Sequence, residues 1–334
     1  MRYVFLSLAA HLLFVAPAAA AEVARPLPPT PMLSEVVRLG GLKARIVSGR
    51  ITFSATRLGN MNNAAKGEKR EERVSIRIAA ESLAADYEMS TADEEFRLQV
   101  TGPGEFHVRR LAKGDSGPLP AGFHQRADEP MSLTLGTPPD ERVYRAPSLW
   151  HLFLMEPEAC RAHLAPLLQS LDPKWNLAGT SGQVEAALRE AAAEGNLPDP
   201  QRWAALVEQL GDERYSRRAA ADRELRAMGR VVFTYLQGLD RDRLDAEQHY
   251  RVRRIVMALA ANMNNDLPPE IARWLAGDPV VWLALLSRDD ESTRRLAAER
   301  LEALLGEPIS FDPAADPATR AEQIEQLRQE VQGR

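Results

Sequence analysis

Histidine and arginine recur at two places where the chain could hold an ion. In "GEFHVRRL" His107 and Arg109 stand two positions apart, followed by Arg110, and in "GFHQRAD" the same spacing separates His124 from Arg126. On an extended strand, that spacing puts both members of a pair on one face. If the two strands are neighbours, His107, Arg109, His124 and Arg126 together make an anion or partner contact. The competing reading is the solvated side of an ordinary sheet. A second basic group, "HYRVRR", sets Arg251, Arg253 and Arg254 behind His249 and Tyr250. Guanidinium groups match carboxylate or phosphate geometry. The acids in the preceding "RDRLDAEQ" equally allow a helix that pairs its arginines internally.

Other candidates carry less chemistry. Cys160 and His163 are three apart, but Cys160 is the one cysteine of the chain. A structural zinc site wants four ligands, so a buried thiol beside a partly wet imidazole is expected instead. Asp115, Asp128 and Glu129 fall near turns, where nothing fixes the separation an acid/base pair needs. The "GTSG" at 179–182 lacks the spacing of a nucleophile elbow and reads as a helix cap. His-Glu-x-x-His, a Lys-Ser/Thr phosphate loop, Gly-x-Ser-x-Gly and Cys-x-x-Cys-His do not occur. No catalytic residue, cofactor or metal is therefore expected. A hydrolase would need an unrecognised site, best placed near Trp150 and His151, where strands give way to helices.

The elements that position these residues divide near Pro147. Before it, Val74, Ile76 and Ile78 alternate with Ser75 and Arg77, and Phe96, Leu98 and Val100 do the same. This period of two predicts an antiparallel sheet of six to eight strands from about Leu42 to Val143, a half-barrel or sandwich. Gly59 to Glu72 is polar and aperiodic and predicts a long hairpin loop. After Pro147 the apolar residues recur every three or four positions, as in Leu149, Trp150, Phe153 and Leu154, and the chain reads as short helices. The fold class expected is α+β, with a β domain followed by an all-α domain.

The first residues speak to location. One charge, Arg2, precedes an apolar run from about Val4 to Val15 and then small residues with Ala-x-Ala choices ending at Ala20 or Ala21. This is the layout of a cleavable secretory signal, and the apolar run is too short for a spanning helix. The expected organisation is a signal peptide over 1–21, a Pro-rich linker over 22–34, the β domain over 35–146, connecting helices over 147–199 and a helical domain over 200–334. A formal net charge of −5 argues against a general nucleic-acid binder. No transmembrane segment is expected in the mature chain, because every later apolar stretch is interrupted by charge.

"LVEQLGDERYSRRAAADRELRAMG", 206–229, joins two helical patterns through a Gly-Asp break: an aromatic at Tyr215, Arg218, small residues at Ala219 and Ala220, Leu225 and a closing Gly229. It resembles the HEAT-like repeat of bacterial secreted proteins. "AEQHYRVRRIVMALA" resembles a partner helix and "RDDESTRRLAAERLEALLGEP" a further copy, while the aromatic-Asp-Pro loop at 311–313 leading into the last helix is similar to a cap. The resemblance covers about a third of the chain, with uneven spacing between copies. It implies a helical scaffold for protein contacts and no catalytic residues. Three functions follow as expectations. The first is an exported interaction protein whose partner is another envelope protein; the others are an envelope lipid or lipoprotein carrier using a concave sheet face, and a hydrolase with its site at the domain junction.

Overall fold

The structure, a computed structural model, describes residues 42–332 apart from 56–58, 80–81, 115–117, 128, 194–199, 238, 241–242 and 262–266. The expected signal peptide and linker, with Asp115 and Asp128, lie outside the described residues.

Among the described residues the chain up to Ala146 forms strands. β1 (Lys43–Val47) and β2 (Arg50–Ser54) make a hairpin. The next eight strands are β3 (Gly59–Lys66), β4 (Arg70–Ala79), β5 (Ser82–Thr91), β6 (Glu94–Gly102), β7 (Glu105–Ala112), β8 (Ala121–Gln125), β9 (Met131–Leu135) and β10 (Arg142–Ala146). They pair antiparallel in chain order, so each strand lies beside its neighbour in sequence. The alternation read from the sequence is the burial pattern observed: Val74 and Ile76, Phe96 and Leu98, Phe106 and Val108 all face the core.

The expected loop at 59–72 is instead β3, a tight turn and the start of β4. The β3 side chains are mostly exposed because β3 is the edge strand, held by backbone pairing to β4 from Gly59↔Ile78 to Lys66↔Glu71. An edge strand with little to bury has no apolar period to read.

Helices follow: α1 (Leu149–Met155), α2 (Pro157–Ala159) running through a π-helical turn at Cys160–Leu164 into α3 (Ala165–Gln169), and α4 (Leu177–Ala193). Pro157 sits in the first turn, as its missing N–H allows. "GTSG" lies inside α4, not before it. The start is three residues earlier, where the Asn176 side chain accepts from the Gly179 N–H at 3.1 Å. The remaining helices are α5 (Pro200–Gln209), α6 (Tyr215–Met228), α7 (Arg230–Gln237), α8 (Ala246–Ala261), α9 (Pro268–Leu275), α10 (Pro279–Leu285), α11 (Glu291–Leu305) and α12 (Pro317–Gln332). The molecule is α+β, sheet first and helices after.

Two apolar cores result. The larger joins the inner sheet face to Leu149, Trp150, Phe153 and Leu168, and continues through Trp282 of α10 to Leu327 of α12. The smaller is built by α5 to α8 around Trp203, Leu210, Leu225 and Ile255. Within the smaller unit, Arg218 meets Glu247 at 3.3 Å and Asp222 meets Arg251 at 3.9 Å. Each step of four residues along α6 is matched by four along α8, so the two helices run parallel with α7 between them in the chain. Gly229 ends α6 at φ 64, a conformation that side chains with a Cβ resist.

Candidate functional site

The sheet brings three of the four histidine-arginine candidates together. His107 of β7 and His124 of β8 are directly paired, with ring centroids 5.7 Å apart and planes at 73°. Arg109 lies on the same outward face, opposite Gly122. Desolvation by the surrounding atoms, then the charges of His124 and Arg109, lower the pKa of His107 below 6.5, which favours the neutral imidazole. Arg126 lies just past the end of β8 and pairs with Glu129 at 3.1 Å. Arg110 points the other way: it is buried on the inner face, and that burial lowers its pKa while Glu94 opposes the shift.

The α8 arginines take three separate roles. Arg251 bonds Glu247 at 2.7 Å within the helix. Arg254 lies over the Tyr250 ring, 5.6 Å from its centroid. Arg253 reaches a pocket of about 300 Å³ between α7 and α8, lined by Leu236, Leu239, Val252 and Met257, with exposed His249 beside it. Tyr250 and Met257, at i and i+7 of α8, are 55% and 62% exposed. A capping box starts this helix: the Asp245 side chain accepts from the Gln248 N–H at 2.8 Å and the Gln248 side chain from the Asp245 N–H at 2.9 Å.

At the sheet-helix junction the structure assembles a group that no sequence motif announced. His151, 1% exposed, has Nδ1 2.7 Å from Ser148 Oγ and Nε2 3.0 Å from Asp278 Oδ2. An ionised carboxylate only accepts, so Nε2 carries the proton and Nδ1 accepts from the Ser148 hydroxyl. Ser148 and Asp278 are also helix N-caps: the first accepts from the His151 N–H and the second from the Val280 N–H at 2.9 Å. Burial pushes the Asp278 pKa up, but the hydrogen bond and charge of His151 and the Val280 N–H outweigh it, and the net shift is below 3.8. Gly49 closes over the serine: a Cβ there would stand 2.9 Å from Ser148 Cβ and 2.9 Å from Trp150 Cδ1. The residues are 127 apart along the chain between His151 and Asp278, so spacing offered no signal.

A buried charged group at one end of the inner sheet face also escaped the sequence reading. Tyr87 donates to Glu72 at 2.8 Å, Arg70 pairs with Glu72 at 2.6 Å, and Glu94 and Arg110 are buried nearby in the same face. Burial, then the bond and charge of Glu72, raise the Tyr87 pKa strongly. The signal was available: Glu72, Glu94 and Arg110 occupy the parity of Val74, Phe96 and Val108. Cys160 is buried, and burial raises its thiol pKa, followed by the charge of Glu156. Among the described residues no three His, Cys, Asp or Glu side chains converge on a metal position, and no helix is long and apolar enough to cross a membrane.

Comparison with known proteins adds no relative: no family model, no curated protein and no solved structure matches the chain.

Proposed function

We propose that this chain is an exported interaction protein of the bacterial envelope, non-enzymatic, whose helical part binds an acidic segment of another protein through α8. The observation that carries the reading is the α8 surface. It combines exposed Tyr250 and Met257, Arg254 stacked on Tyr250, and Arg253 with His249 in the lining of a pocket of about 300 Å³. Aromatic, Met and Arg side chains over a pocket are the composition of a binding hot spot, and the arginines select carboxylates. The parallel course of α6 and α8 supports a HEAT-like stack, in which equivalent helices of successive units lie side by side. The carrier reading has less support, because Trp150, Phe153 and Leu168 pack into the core that the inner sheet face shares with the helices. The export signal at 1–21 supplies the location.

The test is photocrosslinking from position 250 in native envelopes, followed by identification of the captured protein. Capture of an acidic partner, lost in the Arg253→Glu/Arg254→Glu double variant and retained in Lys174→Glu, is expected. Equal capture by the wild type and the double variant would overturn the reading. Amino-terminal sequencing of the same material is expected to begin at Ala21 or Glu22.

A hydrolytic reading rests on the Ser148, His151 and Asp278 group, whose proton order is that of a nucleophile, a base and its orienting acid. Ser148 is buried, and its oxygen caps α1, which favours a structural role. Labelling of Ser148 by a fluorophosphonate would reverse that preference.

A further inference from the structure

We propose that His107 and His124 form a surface site for one divalent ion of the nickel, copper and zinc group. The two residues are directly opposed on β7 and β8, so their side chains leave the sheet side by side. An imidazole nitrogen binds such an ion at ~2.1 Å, which puts each ring centre about 3 Å from the metal. Two rings sharing one ion therefore have centres up to about 6 Å apart. The observed separation of 5.7 Å meets that limit without any movement of the strands.

Two further features favour the ion. The strands that carry the histidines are held from below by Phe106, Val108 and Phe123, all buried, so the geometry is set before the ion arrives. Gln99 of β6 pairs with His107 and Ser132 of β9 pairs with His124, which places oxygen donors on both sides of the histidines in one cross-strand row. With no third His, Cys, Asp or Glu converging among the described residues, water completes the coordination sphere and the ion is exchangeable. Imidazole ligands select the late first-row ions over calcium or magnesium. Arg109 is the opposing charge: it lies on the same face and disfavours a cation.

Calorimetric titration of the tag-free chain with Ni(II), and separately with Zn(II), tests the site. The wild type is expected to bind one equivalent. That step is expected to vanish in His107→Asn and in His124→Asn and to persist in His249→Asn. Arg109→Gln is expected to keep or gain affinity. In the wild type, Ni(II) is expected to broaden the amide signals of Gln99, His107, His124 and Ser132 first, a readout that needs no variant. Absence of a one-equivalent step in the wild type, its survival in His107→Asn or in His124→Asn, its loss in Arg109→Gln, or broadening centred elsewhere would each overturn the proposal.

Discussion

His151 is one of the side chains that join distant parts of the chain at the junction. It ties the start of α1 to the start of α10 through Ser148 and Asp278. Replacing His151 with Ala leaves the Asp278 carboxylate partly buried without its imidazole hydrogen-bond donor. The expected cost is about 3 kcal/mol, read as a lower urea midpoint at unchanged slope. Because Asp278 has a folded pKa below its ordinary 3.8, its contribution to stability is complete above that value and is lost as pH falls through the lowered one. The acid limb of the stability profile should flatten in Asp278→Asn, and an identical limb in both proteins would refute the assignment. At this scale, parity was the readable signal. Phe96, Leu98 and Val100 were legible as core, and the same parity put Glu72 and Arg110 inside, where both are buried.

Among the elements, the β1–β2 hairpin is tied to the large sheet by the Phe53 N–H bond to Pro103 O at 2.6 Å and by one buried side chain. Gln125 at the end of β8 is buried and acts as a surrogate strand for β2. Its amide donates to Ile51 O at 2.7 Å and Gly104 O at 2.9 Å, and its oxygen accepts from the Ile51 N–H at 3.0 Å. Gln125→Ala strips two buried backbone groups of Ile51 and the half-buried Gly104 carbonyl of that partner, at a cost of about 2 kcal/mol. Faster amide exchange confined to 43–54 is the expected readout, and unchanged protection there would count against it. The helical elements were legible from their period, and Gly229 as the end of α6 from its residue type. The edge strand β3 was not, because backbone pairing to β4 holds it while its side chains stay in water.

For the whole molecule, the larger core crosses the boundary between sheet and helices. Leu149, Trp150 and Phe153 share it with Phe106 and Phe123 on one side and with Trp282 and Leu301 on the other. Removing residues 1–145 should therefore expose apolar surface, and the remaining chain should aggregate or bind a hydrophobic dye. A monomeric fragment that melts cooperatively would show that the helices fold alone. The helices from 200 onward do not all pack with one another: α5 to α8 bury their own cluster, whereas α9 to α12 belong to the core of the sheet.

What the amino-acid order alone determined was local: strand before helix, the buried faces of β4 and β6, the end of α6, and the His-x-Arg spacing that sets His107 and Arg109 on one side. Each follows from backbone geometry within a few residues, where side-chain type and period decide the outcome. The tertiary structure decided which distant groups meet. Strand register put His107 opposite His124 while Arg126 turned to Glu129. Helix packing carried Asp278 to His151. Such meetings depend on how whole faces bury against one another, a balance of apolar area and polar satisfaction summed over the molecule, and no spacing along the chain encodes it.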